Sequence, residues 1–511
     1  MNKLKNENIF SKILFFLTSV FSYFIFLVFY DSTTGYDFYT KYSNYIFHFA
    51  FAEQLQAMDG QGIVYYFFIS QIVKFNSHLI GPFNDFEILN NSIQFGNYII
   101  VLIGYLGIFK YFKSLKFIKI QIFYILSFLN FFPPLIYLRL TFKSEVLAFA
   151  LFPWLLYTFE KIKNEKNNKL NIYFFQIIFL LILTIKPSIT VMVAISFLIL
   201  EYKSILNYWR TFLYTGIMTI FFLYFNFLYI KVGFLSQKFI SDAWDNRATF
   251  SFFFNFNFLT LLKEPFFDKQ SNSFLSVLLL DTYSDYFKFF WKHEEITNYL
   301  AYNQKNYFNN FFINRYLRDY IAIFLSAVTY FGTLTYLIFS KKNNKKIASF
   351  SFIGILVLVV NSLGIPNNNF NPLTADTFKI HYFAFLLSVS VAFLLLYNLQ
   401  VSRLALLLIP ICIFVMGFPK SDLNSNINLL TNKLSNSEFC YIFMESKSCR
   451  NEFINICKDI PIKKLSKYEL IDVDYFSYPQ PFSLEKGSSK IYVTNSYNCL
   501  TLFNDGYKFN Y

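Results

Sequence analysis

The chain has 511 residues, of which 55% are hydrophobic and only 15% charged, with a net charge of +14. A soluble chain of this length carries about a quarter charged residues, so the composition excludes an ordinary soluble globular protein. The positive charge does not mark a nucleic-acid binder: the basic residues lie in short clusters between apolar runs, as at a charged lipid surface.

Residues 1–12 are basic and precede an apolar run over residues 13–30. That run is long enough to span a membrane and no small-residue cleavage site follows it, so it reads as a retained first helix. Apolar segments follow at 93–112, 119–137, 144–160, 171–186, 187–201, 211–230, 319–340, 347–364, 380–398 and 403–419. Pro187 separates two of them, because proline lacks the amide donor and disfavours helix just before it. The expected fold is an all-α polytopic membrane protein with about 11 transmembrane helices.

Orientation follows from the lysines. An N-terminus placed inside puts Lys3, Lys5 and Lys12, the run Lys110, Lys113, Lys116 and Lys119, and the run Lys161, Lys163, Lys166 and Lys169 on that side. Lys203, Arg210, Lys341, Lys342, Lys345, Lys346 and Arg403 join them, whereas the short outside connections hold only Lys41, Lys74, Arg139, Lys143, Lys186 and Lys379. The asymmetry obeys the positive-inside rule. It implies a multi-pass protein of a bacterial inner (cytoplasmic) membrane, N-terminus cytoplasmic and C-terminus periplasmic.

A transmembrane domain over 1–419 then carries two large outer loops, about 31–92 and 231–318. The first contains amphipathic pieces at 38–56 and 63–75, expected as interfacial helices. The aromatic stretch 250–262 is too short to span and is interrupted by Asn255 and Asn257. Residues 420–511 form a small C-terminal periplasmic domain with Cys440, Cys449, Cys457 and Cys499. Cysteines in even number in a polar domain suggest disulfides in an oxidising compartment; reduced core thiols are the alternative, and the spacing leaves all three pairings open.

Charges at a membrane edge are costly and point to function. Here they gather at the outer face: Asp31 and Asp37 after the first helix; Arg139, Lys143 and Glu145 after Pro133 and Pro134; Lys186 beside Pro187 and Ser188; Asp376, Lys379 and His381 before a late helix. Such a set suits glycosyl transfer from a lipid-phosphate sugar. A carboxylate would act as general base or hold a divalent metal, Mg or Mn. Lys and Arg would hold the phosphate leaving group. Arg139 and Lys143 are four apart and would share a helix face, as would Asp281 and Asp285 in the second loop, which suit acceptor binding or an ordinary exposed face. Plainer roles stand beside these: Asp37 as a helix cap, Lys186 as a snorkelling lysine. His48, His78 and His293 show no ligand spacing, and Gly60 with Gly62 reads as a turn.

The layout resembles a family. Its residues are Tyr36-Asp37 through Tyr45, then Gly60-Gln61-Gly62-Ile63-Val64-Tyr65-Tyr66-Phe67, then Leu138-Arg139-Leu140-Thr141-Phe142-Lys143-Ser144-Glu145 with Ala148-Phe149-Ala150-Leu151-Phe152-Pro153-Trp154. Leu280-Asp281-Thr282-Tyr283-Ser284-Asp285-Tyr286-Phe287 and Asp376-Thr377-Phe378-Lys379-Ile380-His381-Tyr382 follow. Over roughly 10–400 this arrangement is similar to the GT-C superfamily of membrane glycosyltransferases, which includes protein O-mannosyltransferases, lipid A aminoarabinose transferases and RgtA/B/C/D-like enzymes. The resemblance implies an inverting transferase using a polyprenyl-phosphate-linked sugar donor. The acceptor would be a lipid-linked glycan, lipid A or core sugar, or a protein at the outer face. Asp37 would be catalytic, with Asp31 second; Arg139, Lys143, Lys186 and Lys379 would bind the donor phosphate; Asp281, Asp285 and His381 would bind acceptor. The chain departs from the strict Asp-x-Asp pattern of some members, which leaves metal use open. Rival readings are an O-antigen polymerase or ligase, and a non-enzymatic flippase or transporter of lipid-linked sugars.

Overall fold

The first long helix is built inside out. In α1 (Asn2–Phe29), Ser11, Ser19, Ser22 and Phe26 are buried, while Ile9, Phe10, Ile13, Phe16, Leu17, Phe21, Phe24 and Val28 are exposed. Small polar residues at spacings of three and four face the protein and large apolar ones face away, the pattern of a helix solvated by lipid. The computed structural model describes residues 2–30, 32, 46, 49, 63–79, 85–140, 142–165, 169–185, 187–225, 279, 282–283, 315–339, 377–416, 440–442, 482–486 and 489–493.

After α1 come α2 (Ile63–Leu79), α3 (Asp85–Ser114), α4 (Lys119–Leu129), α5 (Pro133–Leu140), α6 (Val146–Asn164), α7 (Lys169–Leu183), α8 (Pro187–Asn207), α9 (Trp209–Phe225), α10 (Arg315–Phe339), α11 (Thr377–Leu395), α12 (Leu399–Leu404) and α13 (Leu408–Met416). Among the described residues the chain is mostly helical. Three stretches are long and apolar enough to cross a membrane: Asn6–Phe29, Asn90–Ser114 and Leu399–Met416. The pair α4 and α5 reaches the same standard across a 60° bend. The other expected spans coincide with shorter or less apolar helices, except 347–364, which lies outside the described residues. Proline opens α8, as expected at a first helical position.

The bend has a local cause. Pro134 has no N–H to offer the carbonyl of Asn130, four residues back. Ser22 Oγ on α1 donates to that carbonyl instead, at 2.7 Å. A backbone acceptor freed in an apolar setting must find a donor, and here the donor comes from the adjoining helix.

Packing is closest where α3 meets α6. A Cβ on Gly104 would lie 2.6 Å from Phe149 Cε1, and one on Gly107 2.8 Å from Trp154 Cδ1. The indole Nε1–H of Trp154 donates to the carbonyl of Ile103 at 2.9 Å. At the end of the bundle where α1 begins, Arg403 is paired with Glu7, whose carboxylate also accepts from Tyr124 at 3.2 Å. At the far end Tyr30 OH donates to Met416 O at 3.3 Å.

The tail adds a small sheet to the expected all-α fold. Strand β1 (Cys440–Ile442) pairs parallel to β3 (Ser489–Val493), which pairs antiparallel to β2 (Phe482–Lys486) in the order β1-β3-β2. Cys449, Cys457 and Cys499 lie outside the described residues, so the disulfide expectation does too.

Candidate functional site

Asn90, Gln94 and Asn97 fall on one face of α3 and are all buried. Helices that end inside a membrane protein leave carbonyls without intrahelical partners. These amides serve such ends. Gln94 Nε2 donates to the carbonyl of Tyr30, just past α1, at 2.9 Å, and to Asn90 Oδ1 at 3.2 Å. Asn90 Oδ1 also accepts from the Ser32 N–H at 2.9 Å. Asn97 Nδ2 donates to the carbonyl of Arg139, in the last turn of α5, at 2.6 Å, and Tyr65 OH on α2 donates to Asn97 Oδ1 at 2.9 Å. Ser144 Oγ donates to the carbonyl of Ile185, just past α7, at 3.4 Å.

The ends of α1, α5 and α7 therefore meet α2 and α3 in one buried polar layer. The connector from α5 to α6 runs through it: Phe142, Lys143, Ser144 and Glu145 are all buried. The Phe142 ring stands edge-on to Tyr66, centroids 5.5 Å apart, and lies 6.0 Å from Tyr65. Helix-end satisfaction accounts for the amides and for Ser144. The same connector also buries two ionisable side chains, those of Lys143 and Glu145.

Arg139 and Lys143 do not share a helix face, contrary to the spacing argument. Helix α5 ends at Leu140, so Arg139 is helical while Lys143 sits in the connector. The Arg139 side chain is turned toward α1. Its Nη1 donates to Ser22 Oγ at 3.0 Å and its Nη2 to Ser22 O at 3.1 Å. Its guanidinium lies 5.0 Å from the Phe26 ring centre and 6.0 Å from that of Tyr98. Ser22 is two turns short of the end of α1, roughly 10 Å along the axis. Arg139 thus joins α1 to the bent α4–α5 pair.

Asp31, Asp37, Lys186, Asp281 and Asp285 lie outside the described residues. Lys379 and His381 are in the first turns of α11, and their side chains lie outside the described set. Next to Asp281, Thr282 Oγ1 shares a hydrogen bond of 2.8 Å with Tyr330 OH on α10, and Tyr283 OH one of 2.7 Å with Thr329 Oγ1. The Tyr283 ring stands edge-on to Phe132 in the bend, at 5.6 Å. Residues 282–283 therefore dock against α10 and where α4 breaks into α5. Among the described residues no group of three or more His, Cys, Asp or Glu is placed to hold a metal ion.

Sequence reasoning missed Asn90, Gln94, Asn97, Tyr65 and Ser22. The signal for the amides was present: three at helical spacing on one face of an apolar segment. The class this fold defines is a polytopic helical membrane protein. No family model, curated protein or solved structure matches the chain, so its activity has to be argued from the residues of this layer.

Proposed function

We propose that the protein is a GT-C-like glycosyltransferase that moves a sugar from a polyprenyl-phosphate carrier to an acceptor at the membrane face bearing the polar layer. The observation that supports it is the buried Lys143 and Glu145 in a connector where the ends of α1, α5 and α7 converge. Asp31 and Asp37 follow the end of α1 in the sequence, with Asp37 our first choice of base. In this reading Asp37 takes the proton of the acceptor hydroxyl as its oxygen attacks the anomeric carbon. The bond from that carbon to the phosphate oxygen breaks, and cationic groups neutralise the leaving phosphate. Lys143 is our first choice for that role, with Lys186 and Lys379 beside it; Arg139, engaged with Ser22, positions the connector. Asp281, Asp285 and His381 are assigned to the acceptor, which is a lipid-linked glycan, lipid A or core sugar, or a protein. A divalent Mg or Mn ion held by the loop carboxylates is compatible with this chemistry.

The reading also takes about eleven spans, an inner-membrane location with a cytoplasmic N-terminus, and a periplasmic tail whose cysteines are paired. The deciding assay is transfer of labelled sugar from polyprenyl-phosphate donors in membranes containing the wild type or Asp37→Asn. Transfer by the wild type that is lost in Asp37→Asn supports the proposal. Transfer by both moves the base to another acid. No transfer with any donor or acceptor sinks the GT-C reading and favours a flippase or an O-antigen polymerase.

A further inference from the structure

The basic end of the bundle is not uniformly basic once its partners are counted. In the last turn of α6, Lys161 Nζ is 2.5 Å from Glu165, which raises its pKa above the ordinary lysine value, and Lys163 is paired with Glu160 and, at 3.2 Å, with Glu201. Arg403 is paired with Glu7. The turn between α3 and α4 differs. Lys110, Lys113, Lys116 and Lys119 are all exposed, and among the described residues none of them forms an ion pair. Four positive charges within ten residues of chain are left for an external anion.

Two further observations say what kind. The exposed stripe of α3 that carries Lys110 and Lys113 continues through Leu106 and Ile103, 57% and 43% exposed, at spacings of three and four. Within the turn, Ile118 between Phe117 and Lys119 is 54% exposed. An apolar stripe that becomes cationic at its end matches the passage from acyl chains to headgroups, not a polar protein surface or nucleic acid. The second observation is backbone strain at Lys116, where φ is 68°. The Phe117 N–H donates to Phe112 O at 3.1 Å and the Lys116 N–H to Lys113 O at 3.0 Å, while the Phe117 ring packs edge-on against Phe112 at 5.8 Å. This is the glycine-ended helix stop, with lysine in the left-handed position that glycine occupies at least cost. Keeping a side chain there is a cost to folding that its charge would offset.

We infer that the turn Lys110–Lys119 between α3 and α4 is a headgroup site for anionic phospholipid, with its lysines on the lipid phosphates and Ile118 among the acyl chains. The inference rests on the membrane class of the protein and not on the glycosyltransferase reading.

The test uses the full chain in nanodiscs of phosphatidylglycerol and phosphatidylcholine, reading the ratio of the two lipids retained after extraction into mild detergent. The wild type is expected to retain phosphatidylglycerol in excess. Replacing all four lysines by Gln should cut that preference about tenfold or more, and replacing all four by Arg should keep it. Lys116→Gly is the sharpest arm: it should lower the preference about fivefold while raising the unfolding temperature, because the strain is relieved and one charge is lost. It also keeps the test decisive if the Gln quartet does not fold. No preference in the wild type, or an unchanged preference in folded Gln variants or in Lys116→Gly, would overturn the inference. So would polyglutamate outcompeting phosphatidylglycerol for the wild type, which would indicate an acidic protein partner.

Discussion

Ser22 and Arg139 form a pair in which removing the neutral partner should cost more than removing the charged one. Ser22 Oγ accepts from Arg139 Nη1 at 3.0 Å and donates to Asn130 O at 2.7 Å. Ser22→Ala therefore takes an acceptor from a buried guanidinium and a donor from a carbonyl that Pro134 cannot serve. A hydrogen bond to a charged group contributes about 1.5–3 kcal/mol, and a buried unsatisfied carbonyl costs about 1–3 kcal/mol. The guanidinium keeps its bond to Ser22 O and the Phe26 and Tyr98 rings, which limits the loss, so Ser22→Ala should destabilise by about 3 kcal/mol. Arg139→Met removes the bonds together with the desolvated charge and leaves Ser22 bonded to Asn130; it should cost about 1–2 kcal/mol. The double variant should fall short of the sum by about 1–3 kcal/mol. Reversible unfolding in mixed micelles titrated with dodecyl sulfate measures all three. Arg139→Met costing more than Ser22→Ala, or additivity within about 0.5 kcal/mol, would refute the account of Arg139 as a staple between α1 and the bent α4–α5 pair.

Gly104→Ala and Gly107→Ala should each destabilise by about 1–3 kcal/mol, since the added methyl meets Phe149 or Trp154 at 2.6 and 2.8 Å, whereas Gly216→Ala, with nothing within 4 Å, should be neutral or stabilising; the same unfolding titration compares them. Lys163→Met should destabilise by about 1–3 kcal/mol by leaving the buried Glu201 carboxylate without that ammonium, and adding Glu201→Gln should recover part of the loss. Tyr65→Phe removes the bond to Asn97 and should cost about 1 kcal/mol, with a larger fall in sugar transfer if the layer positions the reacting groups.

The helices were legible because apolar runs of near-spanning length have few other uses, and α1, α3 and the stretch from α12 to α13 fall on them. Boundaries were less so. Pro133 and Pro134 read as the outer end of a span, but the chain resumes a helix through them to Leu140, because Ser22 on another helix satisfies the carbonyl that they strand. Sequence spacing cannot show a donor that arrives from a residue more than a hundred positions away. The end of the resumed helix at Leu140 takes Lys143 off the face that carries Arg139, and the Arg139 side chain turns toward α1.

Of the charges expected to gather at one face, the described side chains are those of Arg139, Lys143 and Glu145; the layer they adjoin was not legible. The spacing rule that groups Arg139 with Lys143 assumes one helix; the amides that hold the layer together looked like ordinary polar residues in a long span. Their role follows from a requirement that every membrane helix shares: terminal carbonyls need donors, and Gln94, Asn97 and Ser144 meet it where α1, α5 and α7 stop, with Asn90 accepting from Gln94 and from the Ser32 N–H. The requirement also separates structure from function within the layer. A polar side chain that closes a helix end needs no charge, so an amide or hydroxyl suffices, and amides and hydroxyls are what the structure uses at those ends. Lys143 and Glu145 are ionisable residues buried in the same connector, where charge is costly to hold. That makes these two residues, more than the amides around them, the place to look for chemistry.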